Sequence, residues 1–102
     1  MLDKLKTIEE KYEAIGEKLC DPNVVSDIDG YRRLMREQKR LTPVVEKYRE
    51  FKKINADYEE SKALLDEGGL EKDFREMVEE EYKASSEELE KISEELKILL
   101  LP

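Results

Sequence analysis

The sequence predicts an all-α chain: an elongated antiparallel three-helix bundle whose second and third helices form a long coiled-coil-like hairpin. Three observations carry this. Charged residues make up 45% of the chain and hydrophobic ones 38%, a balance that gives amphipathic helices rather than a thick globular core. Apolar residues recur at steps of three and four along three separate runs, and no segment alternates as a strand would. The breaks between runs fall at Asp21-Pro22 and Gly68-Gly69, where helices stop. Each apolar stripe must be buried, and short connections make sequential helices antiparallel neighbours. The 102 residues suit one small domain.

The first run carries Leu5, Ile8, Tyr12, Ile15 and Leu19 and predicts a helix over about 2–19. Asp21-Pro22 stops it, because a residue before proline avoids the α region. Ser26 is then placed to cap the next helix, with Asp29 three residues on in a variant of the capping box. The second stripe runs Tyr31, Leu34, Gln38, Leu41, Val45, Tyr48, beside a row of Val44, Phe51, Tyr58 and Leu65. Pro43 interrupts the helical hydrogen bonds there, so the second helix, about 27–66, is kinked or broken near Thr42-Pro43. The seven-residue spacing of Leu34, Leu41 and Tyr48 across Pro43 favours a kink. After the glycine pair, Phe74, Val78, Tyr82, Ser85, Leu89, Ile92, Leu96 and Leu99 mark a third helix over about 70–100.

The formal net charge is −8, which argues against a general phosphate binder. The middle of the chain departs from this: residues 31–69 carry 10 basic and 8 acidic side chains. No run approaches the roughly 18 apolar residues of a membrane span. No secretory signal pattern opens the chain. A lone Cys20 fits a reducing, cytoplasmic compartment.

Little in the chain reads as chemistry, and the expectation is a non-enzyme without cofactor, metal or small-molecule substrate. Histidine is absent, which removes Ser–His and Cys–His nucleophiles and the common zinc motifs. Cys20 has no metal-binding companion and reads as an inert helix-end residue. Gly68-Gly69 lacks the following Lys-Ser/Thr of a phosphate loop and reads as a turn. Glu79, Glu80 and Glu81 point different ways on a helix and read as a solvated face.

The stretch "YRRLMREQKR" is the candidate contact surface. Arg32, Arg36 and Arg40 are spaced i, i+4, i+8, with Lys39 beside them and Arg33 further round the helix. Such a stripe suits RNA phosphates or an acidic protein surface. The plainer reading is a polar face paired with acidic neighbouring helices. The greasy end "LKILLLP" suggests that the chain is cut from a longer protein.

The succession of the Leu2–Leu19 stripe, "LCDPNVVSD", "YRRLMREQKRL", a Tyr-bearing helix, a charged helix and "LKILLLP" resembles the N-terminal domain of bacterial class I peptide chain release factors, over essentially the whole chain. Among these it is most similar to the type reading UAA and UAG. The sister type often carries Phe-Trp after the corner proline, where this chain has Asn23-Val24-Val25. The resemblance implies a helical projection that docks near the stalk base of the large ribosomal subunit, touching rRNA and protein. It also implies importance for the GTP-binding class II release factor. The decoding tripeptide and the Gly-Gly-Gln loop belong to other domains of that family, and neither occurs here. One tip of the projection, "CDPNVVSDIDG" or "SKALLDEGGLEKD", or the arginine stripe, is then expected to touch the ribosome. A monomer fits this reading. A tight dimer through the Leu89–Leu99 stripe would instead fit a free-standing acidic coiled-coil adaptor for a protein partner.

Overall fold

The computed structural model describes residues 1–102 and is helical almost throughout. Four helices follow in order: α1 (Leu2–Leu19), α2 (Pro22–Val25), α3 (Ile28–Glu67) and α4 (Lys72–Leu99). No strand forms, and the all-α bundle class is the one the spacing predicts.

The short helix α2 was not foreseen in the corner. Asp21 is extended (φ −83°, ψ 121°), as a residue before proline should be, and this ends α1. The same residue starts α2: its carboxylate accepts from the Asn23 N–H at 2.9 Å, and Pro22 needs no donor in a first helical turn. Ser26 then closes α2 in a right-handed helical conformation (φ −72°, ψ −19°) rather than capping α3. Its hydroxyl donates back to the Asn23 carbonyl at 2.9 Å. Asp27 is the cap of α3. Its carboxylate accepts from the Gly30 N–H at 3.2 Å, and its carbonyl accepts from Tyr31 N–H at 2.8 Å. Asp29 lies in the first turn, where a negative charge suits the helix dipole.

Helix α3 passes through Pro43 without a break. Pro43 brings no N–H, so the Lys39 carbonyl loses its helical donor. Lys39 and Pro43 are both exposed, which leaves that carbonyl to water. Thr42, beside it, donates its hydroxyl to the Gln38 carbonyl at 2.8 Å.

Two compact units divide the chain, Met1–Tyr48 and Arg49–Pro102. In the first, Ile15, Leu41 and Val45 are buried together, with Ile8, Tyr12, Leu19 and Leu34 packed on them. The Thr42 hydroxyl meets the Tyr12 hydroxyl at 3.3 Å across this pair of helices. Leu5 is 1% exposed.

In the second unit, the end of α3 turns back into α4. Gly68 and Gly69 take φ of +75° and +71°, a conformation that costs glycine little and other residues much. The Gly68 N–H closes the helix on the Leu64 carbonyl at 3.2 Å. Glu71 caps α4, accepting from the Phe74 N–H at 3.3 Å. Tyr58 and Tyr82 stack with ring centroids 5.2 Å apart and planes 23° from parallel. Two serines occupy the apolar stripes, Ser61 at 4% and Ser85 at 3% exposure. Ser85 satisfies its hydroxyl on its own helix, donating to the Glu81 carbonyl at 2.7 Å. The predicted α4 stripe is buried at Val78, Ser85, Ile92 and Leu96 and exposed at its two ends, Phe74 and Leu99.

Candidate functional site

The arginine stripe lies on the first half of α3, within the unit Met1–Tyr48. Arg32, Arg33, Arg36, Lys39 and Arg40 are all exposed. The helix places Arg32, Arg36 and Arg40 along one side because four residues make a little over one turn.

These five cations are not equivalent. Arg40 grips Glu37 with two hydrogen bonds, Nε to Oε2 at 3.0 Å and Nη2 to Oε1 at 2.7 Å. Lys11 of α1 reaches the same Oε1 at 3.0 Å. The Glu37 carboxyl is held down to about 2, first by the Arg40 hydrogen bonds and then by the one from Lys11. Arg40 is raised above its ordinary value by the same pairing. Glu37 therefore stays ionised, and Arg40 is a braced group with part of its fork in use. Arg32, Arg33, Arg36 and Lys39 make neither an ion pair nor a side-chain hydrogen bond. The one ion pair on the stripe, Arg40–Glu37, lies within α3 itself, so none of the five cations pairs with a neighbouring acidic helix.

The surrounding charge favours this face. Residues 1–48 contain 10 basic and 10 acidic side chains, whereas residues 49–102 contain 9 and 17. The entire net charge of −8 thus falls in the second unit. A polyanion meets no net repulsion on the first.

The other sequence candidates lie as follows. Cys20 is an exposed free thiol that closes α1. Glu79, Glu80 and Glu81 do not converge, and no three His, Cys, Asp or Glu side chains gather at metal-binding spacing. No helix is long and apolar enough to cross a membrane. Ile92 and Leu96 are buried within the chain, at 3% and 0% exposure, so half of the four-residue stripe that would mark a dimer is already used.

One feature escaped the sequence reading. The second unit holds an open cleft of about 490 Å³ between the end of α3 and the start of α4. Ser61, Leu64 and Val78 line its depth, and Phe74 and Met77 stand at its edge. Asp57, Glu60 and Glu81 add carboxylates. The signal was Ser61, which falls between Tyr58 and Leu65 where the stripe wants a large apolar residue. One turn from the cleft, the Tyr58 phenol is pushed above its ordinary range, chiefly by its hydrogen bond to the Tyr82 side chain.

The family model described as the PCRF domain matches residues 8–102. Over all 102 residues the chain is 43% identical to Peptide chain release factor 1 of Caldicellulosiruptor saccharolyticus, covering 28% of that protein. It is 43% identical to Peptide chain release factor 1 of Bacillus licheniformis and 44% to that of Clostridium novyi, again covering 28% of each. The chain therefore spans less than a third of the length of these curated relatives. No solved structure matches it. A match that runs through α2, α3 and α4 and most of α1 places the chain in the PCRF domain family.

Proposed function

We propose that this chain is the ribosome-docking domain of a peptide chain release factor that directs translation termination at UAA and UAG codons. The single observation that carries the docking role is the set of four unpaired cations, Arg32, Arg33, Arg36 and Lys39, on one exposed face of a unit with no net charge. Such a face meets rRNA phosphates through point charges and arginine forks. The relatives named Peptide chain release factor 1, and Asn23-Val24-Val25 after the corner proline, support the UAA/UAG type. In this reading the chain works in the cytoplasm, near the stalk base of the large subunit. It triggers no chemistry itself, and it influences the GTP-binding class II release factor through the position it holds.

A reconstituted termination reaction tests this, using the full factor that carries this segment. Arg32→Glu with Arg36→Glu should weaken binding to stop-codon ribosomes about tenfold, roughly one lost phosphate contact per arginine. The rate of peptide release at saturation should stay unchanged. Removing residues 1–102 should slow recycling more than release. Release falling to background in a folded truncation would overturn the division of labour. Unchanged affinity of the double variant would remove the docking role of the stripe.

A further inference from the structure

The cleft of the second unit is unlike the stripe in every respect. Leu64 and Val78 give its depth an apolar lining beside Ser61, its surroundings are acidic, and it lies on the other unit. Phe74 is 45% and Met77 66% exposed, two large apolar side chains side by side on one edge. They stand beside a recess lined by the small side chain of Ser61. Asp57, Glu60 and Glu81 have no cation within ion-pair distance. Residues 57–67 and 71–81 together hold 11 acidic side chains and 3 basic ones. Of the three, Arg75 is already turned to Glu79, at 3.7 Å.

We propose that this cleft docks a short basic amphipathic segment of another protein. One apolar side chain of the segment enters over Ser61, between Phe74 and Val78, and its lysines or arginines meet Asp57, Glu60 and Glu81. The apolar recess gives the anchor and the carboxylates select the sign of charge. RNA is disfavoured, because bases stacking on Phe74 would bring phosphates against the acidic rim. A second copy of the cleft face is disfavoured for the same like-charge reason. The inference goes beyond ribosome docking through the stripe and does not depend on it.

The test uses the whole 102-residue chain, isotope-labelled for amide NMR. The probe is a synthetic 15-residue amphipathic helix of leucine and lysine. Three controls accompany it: the same peptide with serine for leucine, a leucine–glutamate peptide, and a 15-nucleotide uridine RNA. The leucine–lysine peptide should shift amides confined to residues 57–64 and 74–81. It should bind at least tenfold more tightly than either control peptide. Phe74→Ser with Met77→Ser, and separately Glu60→Lys with Glu81→Lys, should each weaken it about tenfold. All four positions are exposed, so these variants keep the fold, and the amide spectrum verifies that. The proposal is overturned by no binding, by equal binding of the serine–lysine peptide, or by RNA shifting the same amides. Concentration-dependent shifts of those amides without peptide would assign the cleft to a second copy instead, which also overturns it. The assay contains no ribosome, so its outcome leaves the stripe reading standing or falling separately.

Discussion

Lys11 Nζ on α1 and Glu37 Oε1 on α3 stand 3.0 Å apart. The pair ties two helices whose buried contact is Ile15 against Leu41 and Val45. Its exposure, 57% for Lys11 and 27% for Glu37, keeps its contribution small in water. Its greater effect is to fix the orientation of a carboxylate that also holds Arg40. The same two bonds make Glu37 a marked group in acid.

Glu37 has its folded value lowered from 4.5 to about 2. Between those values the unfolded chain takes up a proton that the folded chain refuses, so stability falls as pH falls. The Glu37 contribution is complete above about 4.5 and lost by about 2. Glu37→Gln should melt lower than the parent at pH 7. Its melting temperature should also fall less steeply across that acid window. Parallel melting curves from pH 7 to 2 would show that Glu37 is not so held.

The two candidate caps before α3 separate cleanly. Asp27→Ala removes the acceptor of the Gly30 N–H and should cost about 1 kcal/mol. Ser26→Ala removes only an exposed hydroxyl bond to the Asn23 carbonyl and should cost less than about 0.5 kcal/mol. Urea unfolding of the two variants decides it. Equal losses would return Ser26 to the capping role.

Glycine substitutions should have opposite signs at two places. Gly68→Ala and Gly69→Ala force a side chain into the left-handed region and should each cost about 1–2 kcal/mol. Gly16 lies inside α1, and a Cβ there meets nothing within 4 Å. Gly16→Ala should therefore gain about 0.5–1 kcal/mol. Thermal melts of the three variants test the contrast.

Pro43→Ala should stabilise the chain. A proline inside a helix costs about 3 kcal/mol, and about 1 kcal/mol of that is returned by its stiffening of the unfolded chain. The net gain expected in urea unfolding is about 2 kcal/mol, with a restored bond from residue 43 to the Lys39 carbonyl. A loss of stability would mean that α3 relies on the proline.

The helices themselves were legible because their signal is redundant. Leu5 and Ile15 in α1, and Val78, Ile92 and Leu96 in α4, are buried as their spacing requires. The corner was not, because one proline can end one helix and begin another. The Asp21 carboxylate decided it, through a bond to the Asn23 N–H that no periodicity reports. Ser26 and Asp27 are adjacent and equally good caps by type, so only backbone angles choose between them. Within the stripe, residue spacing gathered five cations, but the side chain of Glu37 sorted Arg40 from the rest. The cleft was hidden because a serine in an apolar row reads as polarity rather than as missing volume.

Ionic strength should act on the two units in opposite senses. Residues 49–102 carry all of the −8 charge and repel themselves, so added electrolyte relieves them. Residues 1–48 are balanced, and their exposed Lys11–Glu37–Arg40 cluster is weakened by the same electrolyte as the Debye length contracts to about 3 Å at 1 M. A single melting temperature would average the two responses toward zero. Amide hydrogen exchange would resolve them, with α4 slowing as the beginning of α3 quickens.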